Sequence, residues 1–112
     1  MNEDTLIEAL KALAHPLRHR IMRALRQREL NVGEIEETTA IGQPALSQQL
    51  GVLRKAGLVE TRKEAKLVYY RLDEDRVALV AEAMAELAGS DGTVETALRT
   101  PSPGAANFAR LS

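Results

Sequence analysis

The sequence predicts a mainly α domain carrying one small β-hairpin, an α+β class, and three observations lead there. Leu46, Leu50 and Leu53 recur at helical spacing between Ile41 and Val59, so this segment is a helix held along one apolar stripe. Two β-rich runs, Leu58 to Lys63 and Leu67 to Leu72, are separated by the polar Glu64-Ala65-Lys66, which is the pattern of a hairpin. Amphipathic stretches before the stripe, and an almost wholly apolar one after the hairpin, supply the remaining helices.

Along the chain, Asp4 or Thr5 caps a first helix running to about Ala14, with Leu6, Ile7, Leu10 and Leu13 as its stripe. His15-Pro16 breaks that helix, because a residue preceding proline avoids the α region, and Pro16 then opens a second helix to about Gln27. Leu17, Ile21, Met22 and Leu25 face inward there, and Arg18, Arg20, Arg23, Arg26 and Arg28 form a basic outer face. Asn31 to Thr39 is a short third helix anchored by Val32 and Ile35. Ala40-Ile41-Gly42 is the tight turn that follows, with Gly42 relieving backbone strain. Pro44 fits the first turn of the fourth helix, and Gly57 closes it with a left-handed cap. Glu74 to Ala88 forms the last helix. Residues 1–88 thus make one domain, and Pro/Gly/Ser-rich residues 89–112 read as a flexible tail.

The fourth helix is built to be gripped on one side and to read something on the other. Gln43, Ser47 and Gln48 project from a face distinct from the leucine stripe, and their short uncharged side chains suit base edges in a DNA major groove. Pro44 stands at the same end. A short supporting helix, a tight turn, a reading helix and then a hairpin tipped by Arg62, Lys63 and Lys66 form a winged helix-turn-helix, with the wing cations placed for phosphates. Arg18, near the start of the second helix, is a further candidate backbone contact. The formal net charge is −1, yet the charges are segregated. Arg54, Lys55, Arg62, Lys63, Lys66 and Arg71 oppose only Glu60 and Glu64 in the reading module, whereas the segment beyond it is acidic.

In a chain of 112 residues the last helix cannot bury all of its apolar circumference in its own core, which predicts a homodimer. Leu6 and Leu10 of the first helix and Val77, Val80, Met84 and Leu87 of the last are the candidate interface. Cysteine is absent, which excludes disulfides, thiolate metal sites and thiol nucleophiles. His15 and His19 are spaced i, i+4, but Pro16 interrupts the helix between them, so no metal site and no cofactor is expected. No catalytic set appears, no apolar run could span a membrane, and the acidic start Met1-Asn2-Glu3-Asp4 is unlike a signal peptide, so a cytoplasmic location is expected.

His15-Pro16-Leu17-Arg18, Pro44-Ala45-Leu46-Ser47-Gln48-Gln49-Leu50, Leu53-Arg54-Lys55-Ala56-Gly57-Leu58-Val59 and Val68-Tyr69-Tyr70-Arg71-Leu72 together resemble the ArsR/SmtB family of bacterial winged-helix repressors, over about residues 4 to 88. The resemblance implies a dimer that occupies operator DNA and leaves it when an inducer binds. By the same likeness, Gln43, Pro44, Ser47 and Gln48 approach bases and Arg62, Lys63 and Lys66 lie in the wing.

The family's known switches are not matched. Asn31-Val32-Gly33 stands where arsenic- and cadmium-responsive relatives carry Cys-Val-Cys, and the last helix lacks the histidines of zinc-responsive relatives. Arg23 and Gly89 match the cysteine positions of the sulfide- and persulfide-responsive branch, to which the reading helix is most similar. Indifference to arsenite, persulfide and zinc is therefore expected. An organic ligand in an apolar crevice near the dimer helices, or a change in protein abundance, remain as routes to induction. The competing function is a winged-helix protein-interaction module whose DNA contact is incidental.

Overall fold

The computed structural model describes residues 1–89; the expected tail, apart from Gly89, lies outside the described residues. The elements run α1 (Glu3–Leu13), α2 (Pro16–Ala24), β1 (Leu30–Asn31), α3 (Val32–Thr39), α4 (Ala45–Lys55), β2 (Val59–Glu64), β3 (Leu67–Leu72) and α5 (Glu74–Leu87). This is the winged helix-turn-helix that the hydrophobic pattern predicts. Met1–Val80 forms one compact unit and the chain from Ala81 a second. The second begins with the C-terminal half of α5; beyond Leu87 the chain turns at Gly89, where φ is 71°.

Each helix start has a local chemical cause. Asn2, not Asp4 or Thr5, caps α1, its Oδ1 accepting the Thr5 N–H at 2.7 Å. His15 caps α2 through Nδ1, which accepts the Leu17 N–H at 3.1 Å, and Pro16 occupies the first helical position. Asn31 and Glu34 form a reciprocal capping box on α3: Asn31 Oδ1 accepts the Glu34 N–H, and Glu34 Oε1 accepts the Asn31 N–H, both at 2.9 Å. The α2 helix ends at Ala24, three residues before the expected Gln27, where a turn leads into a left-handed Gln27 with φ 60°.

The core of the first unit gathers one stripe from every helix. Ala9 and Ala12 of α1, Ile21, Met22 and Ala24 of α2, Ile35 of α3, Leu46, Leu50 and Leu53 of α4 and Val80 of α5 are buried together with Leu25, Leu30, Ile41, Leu58 and Val59. Leu46, Leu50 and Leu53 are each 2 % exposed or less; at about 1.5–3 kcal/mol per fully buried leucine, this stripe is the strongest anchor of α4. The sheet contains a strand that the sequence pattern does not reveal. Two-residue β1 pairs antiparallel with β3, Leu30 opposite Tyr70 and Asn31 opposite Tyr69, giving the order β1-β3-β2.

The turn between α3 and α4 is closed differently from expectation. The left-handed residue is Ala40, with φ 59°, whereas Gly42 has no positive φ and open space around its missing Cβ. Thr39, buried at 4 % exposure, sets the bend. Its hydroxyl donates to Ile35 O at 2.7 Å and accepts the Ile41 N–H at 3.2 Å. At the far end of α4, Gly57 does require glycine: φ is +75°, and a Cβ would lie 2.7 Å from Arg76 Nη1. Its neighbour Leu58 closes the cap by donating to Leu53 O.

Backbone strain at these two positions runs in opposite directions. Replacing Ala40→Gly should raise stability by about 0.5–1 kcal/mol, because relief of the left-handed penalty outweighs the added chain entropy. Gly57→Ala should lower it by about 1–2 kcal/mol. Urea unfolding of both variants checks the pair, and a destabilised Ala40→Gly protein contradicts this account of the turn.

Candidate nucleic-acid interface

Burial of the α4 leucines turns Ser47, Gln48, Gly51 and Lys55 outward, and all four are exposed. The α4 N-terminus carries a bond that sequence spacing does not disclose. Gln43 Oε1 accepts both the Ser47 N–H at 3.1 Å and the Ser47 hydroxyl at 2.6 Å. Gln43 thereby satisfies a helix-start N–H that Pro44, at the cap position without a capping side chain, leaves open. The Gln43 amide N–H2 and the whole Gln48 side chain remain directed to solvent. Pro44 stands one residue before the first helical turn, at the lip of this face.

Gly51 was not singled out by its sequence context. A glycine in a helix interior costs about 0.5–1 kcal/mol relative to alanine, and here nothing lies within 4 Å of where its Cβ would be. No packing constraint among the described residues calls for it. The signal available beforehand was a lone glycine one turn beyond Ser47, on the outward side.

Of the basic candidates, the structure separates those held by the protein from those open to solvent. Arg18 is engaged within the chain. Its Nε donates to Ala12 O at 2.6 Å, its Nη1 to Gln49 Oε1 at 2.8 Å and its Nη2 to Lys11 O at 3.4 Å. A half-buried guanidinium that ties the end of α1 to α4 is an internal clamp, because the orphan carbonyls of a helix end are natural partners for it.

Arg62 is also engaged within the chain. Its Nε lies 2.8 and 2.9 Å from the two Glu29 carboxylate oxygens and its Nη2 2.6 Å from Glu29 Oε1. Its Nη1 donates to Glu64 at 3.0 Å, and the guanidinium sits 4.6 Å from the Tyr69 ring centroid. With two carboxylates on it, its charge is answered within the fold. Hydrogen bonding from Arg62 holds the Glu29 carboxyl below its ordinary value of 4.5. The pair is therefore intact above the ordinary carboxylate range and is lost as pH falls through the lowered value. Lys63 and Lys66 are exposed, and among the described residues neither forms an ion pair. Lys66 occupies the two-residue tip with Ala65, whose φ is 55°.

The candidate dimer residues also divide. Val80 is 5 % exposed and belongs to the core of its own chain, so it cannot also present itself to a partner. Leu6, Leu10 and Val77 are half-buried against the same core, and Met84 is half-buried. Leu87 is 81 % exposed. Ile7 and Leu79, at 41 % and 40 % exposure, are further large apolar side chains open to solvent on α1 and α5.

His15 Nδ1 is engaged in capping, and His19 is exposed one turn further on. Among the described residues no group of three or more His, Asp or Glu is arranged to hold a metal ion. A hollow of about 680 Å³ sets five carboxylates, those of Glu29, Glu60, Asp73, Glu74 and Asp75, against Arg28 and Arg71, a net negative lining that would repel phosphate. No helix among the described residues is long and apolar enough to cross a membrane.

Comparison with known proteins decides the family. Residues 15–61 match the model of the bacterial regulatory proteins of the arsR family. The chain is 41 % identical over 86 residues to the transcriptional activator HlyU of Vibrio cholerae, covering 77 % of this chain and 80 % of that one. The chain belongs to the ArsR family. It is 56 % identical over 75 residues to the biofilm growth-associated repressor of Agrobacterium fabrum, covering 67 % of this chain and 64 % of that protein, so the match spans less than two thirds of that relative. The solution structure of a homodimeric winged helix-turn-helix DNA-binding domain from Mycobacterium bovis superposes with a TM-score of 0.64 at 34 % identity, over 75 % of this chain and 79 % of that one.

The Arg18 clamp predicts a particular mutant signature. Arg18→Ala should lower stability by about 1–3 kcal/mol through lost charge-assisted bonds, while the salt dependence of DNA binding keeps its slope. Thermal unfolding together with a salt titration reads both quantities. A flatter slope at unchanged stability would return Arg18 to the phosphate contacts.

Proposed function

We propose that this chain is a sequence-specific DNA-binding transcriptional regulator that acts as a homodimeric repressor. The observation that carries this reading is the division of α4 into a fully buried leucine stripe and an outward face of Ser47, Gln48 and Gly51. Over Ser47, Gln48 and Gly51 that face is uncharged and low in profile, which suits base reading, and Lys55 follows at its C-terminal end. A glycine at its centre lets the helix backbone approach the groove closely. Family membership supports the same reading, and so does the similarity to relatives named as repressor and activator.

In this reading Gln48 reads a base edge directly. Gln43 orients the helix start and offers its remaining amide N–H2, and Ser47 exchanges its bond to Gln43 for one to DNA. Lys63 and Lys66 contact phosphates from the wing. The polar, salt-sensitive part of binding comes from these lysines, because each neutralised phosphate releases counterions. Two copies place their α4 helices in successive major grooves about 34 Å apart, with Ile7, Leu79 and Leu87 supplying exposed apolar surface for the dimer. DNA as the ligand implies the cytoplasm as the site of action.

Operator-binding measurements distinguish the roles. Gln48→Ala should cost about 1–3 kcal/mol and relax preference at one base pair. Lys66→Ala should weaken all sequences alike and reduce the slope of log K against log salt by about 1.8, which is about 0.9 for each of the two protomers. Binding that shows salt dependence without sequence preference would favour an interaction module over a repressor.

Assembly has its own test. Leu87→Glu should convert a micromolar dimer to monomer while the helical content is retained, since Leu87 is exposed within the chain. Val80→Glu should instead unfold the protomer by burying an unpaired charge. Sedimentation and circular dichroism separate the two outcomes, and a wild-type monomer at micromolar concentration contradicts the dimer.

A further inference from the structure

We infer that Glu29 is a positioning residue for the wing: with Arg62 and Tyr69 it forms a brace across all three strands that fixes the direction in which the hairpin projects. The register shows where the brace lies. Arg62 on β2 is opposite Tyr69 on β3, and Tyr69 is opposite Asn31 on β1. This is the last row in which the sheet has three strands. Beyond it only Lys63 opposite Val68 and Glu64 opposite Leu67 remain, and a free two-stranded ribbon is marginal in water.

Glu29 directly precedes β1, at the opposite edge of the sheet from β2. The Arg62 side chain lies over the Tyr69 ring at 4.6 Å and grips both Glu29 oxygens. It therefore crosses β3 and joins the two outer strands. Guanidinium is suited to this because it stacks on an aromatic face and binds a carboxylate in a fork at the same time. The second carboxylate, Glu64, lies two residues from Arg62 on the same strand and cannot tie the hairpin to anything. Beside the brace, Arg71 Nε donates to Glu60 at 2.7 Å across β2 and β3, but that pair does not reach β1. What depends on the brace is the placement of Lys63 and Lys66, the wing cations without an internal partner.

The brace is a property of the free protein, and only its consequence for DNA rests on the proposed function. In amide hydrogen exchange on the full chain without DNA, Glu29→Gln should speed exchange of the hairpin amides beyond Tyr69 roughly tenfold. Arg62→Lys should behave the same way, since an ammonium cannot fork and stack together. Glu64→Gln should leave the hairpin as it is. With operator DNA, Glu29→Gln should weaken binding several-fold at an unchanged salt slope.

Two results overturn the proposal. One is hairpin exchange in Glu29→Gln equal to wild type, or exchange speeded just as much by Glu64→Gln. The other is tighter DNA binding with a slope steeper by about 1.8, about 0.9 per protomer, which would make Arg62 a phosphate contact that Glu29 holds back. Should the wild-type protein bind no DNA at all, the repressor reading fails while the exchange measurement still decides the brace.

Discussion

Burial of Leu46, Leu50 and Leu53 is the constraint on which the other features depend. A helix has a single azimuth, so sinking these three side chains into the core also decides that Ser47, Gln48 and Gly51 face outward. The same burial determines how the chain leaves the helix. Leu53 accepts the cap bond from Leu58, Gly57 turns the backbone, and Leu58 and Val59 enter the core as β2 begins. The hairpin is thus delivered at a set distance from the outward face of α4 by the packing of one stripe.

Arginines serve this fold mainly as joints. Arg18 ties the α1 carbonyls to Gln49 of α4, Arg20 donates to the Thr39 carbonyl at the end of α3, and Arg76 donates to the Ala56 carbonyl at the end of α4. Arg62 joins the outer strands. Each meets orphan carbonyls or a carboxylate that would otherwise be solvated, and the planar fork makes such contacts with little loss of freedom. On the wing, Lys63 and Lys66 are exposed and in no ion pair among the described residues, and a flexible ammonium group acts as a point charge on a phosphate. A chain of net charge −1 can therefore present a basic wing.

The angle between α3 and α4 rests on small polar chemistry. Thr39 is the buried polar residue that shapes the bend, and the left-handed conformation falls on Ala40. Glycine would relieve that strain, and Gly42 stands nearby without need of it. The bend is held by the hydroxyl bonds of Thr39 and by Ile41 in the core, which outweigh a penalty of about 1–2 kcal/mol at one residue.

The sequence by itself determined the order of the helices, the leucine stripe, the Gly57 cap and the hairpin, because these follow from periodicities and turn chemistry that act within a few residues. It also marked Gln43, Ser47 and Gln48 as an outward polar group. Tertiary structure alone decided β1, the Gln43–Ser47 bond, the commitment of Arg18 and Arg62 to the fold, and the core position of Val80. Two residues of β1 carry no pattern of their own, and their pairing with β3 spans about forty positions of chain. Basic residues on a helix or strand look alike in sequence, whether they meet a carboxylate or water. Which of these occurs depends on what packing brings within about 3 Å, and no local pattern encodes that.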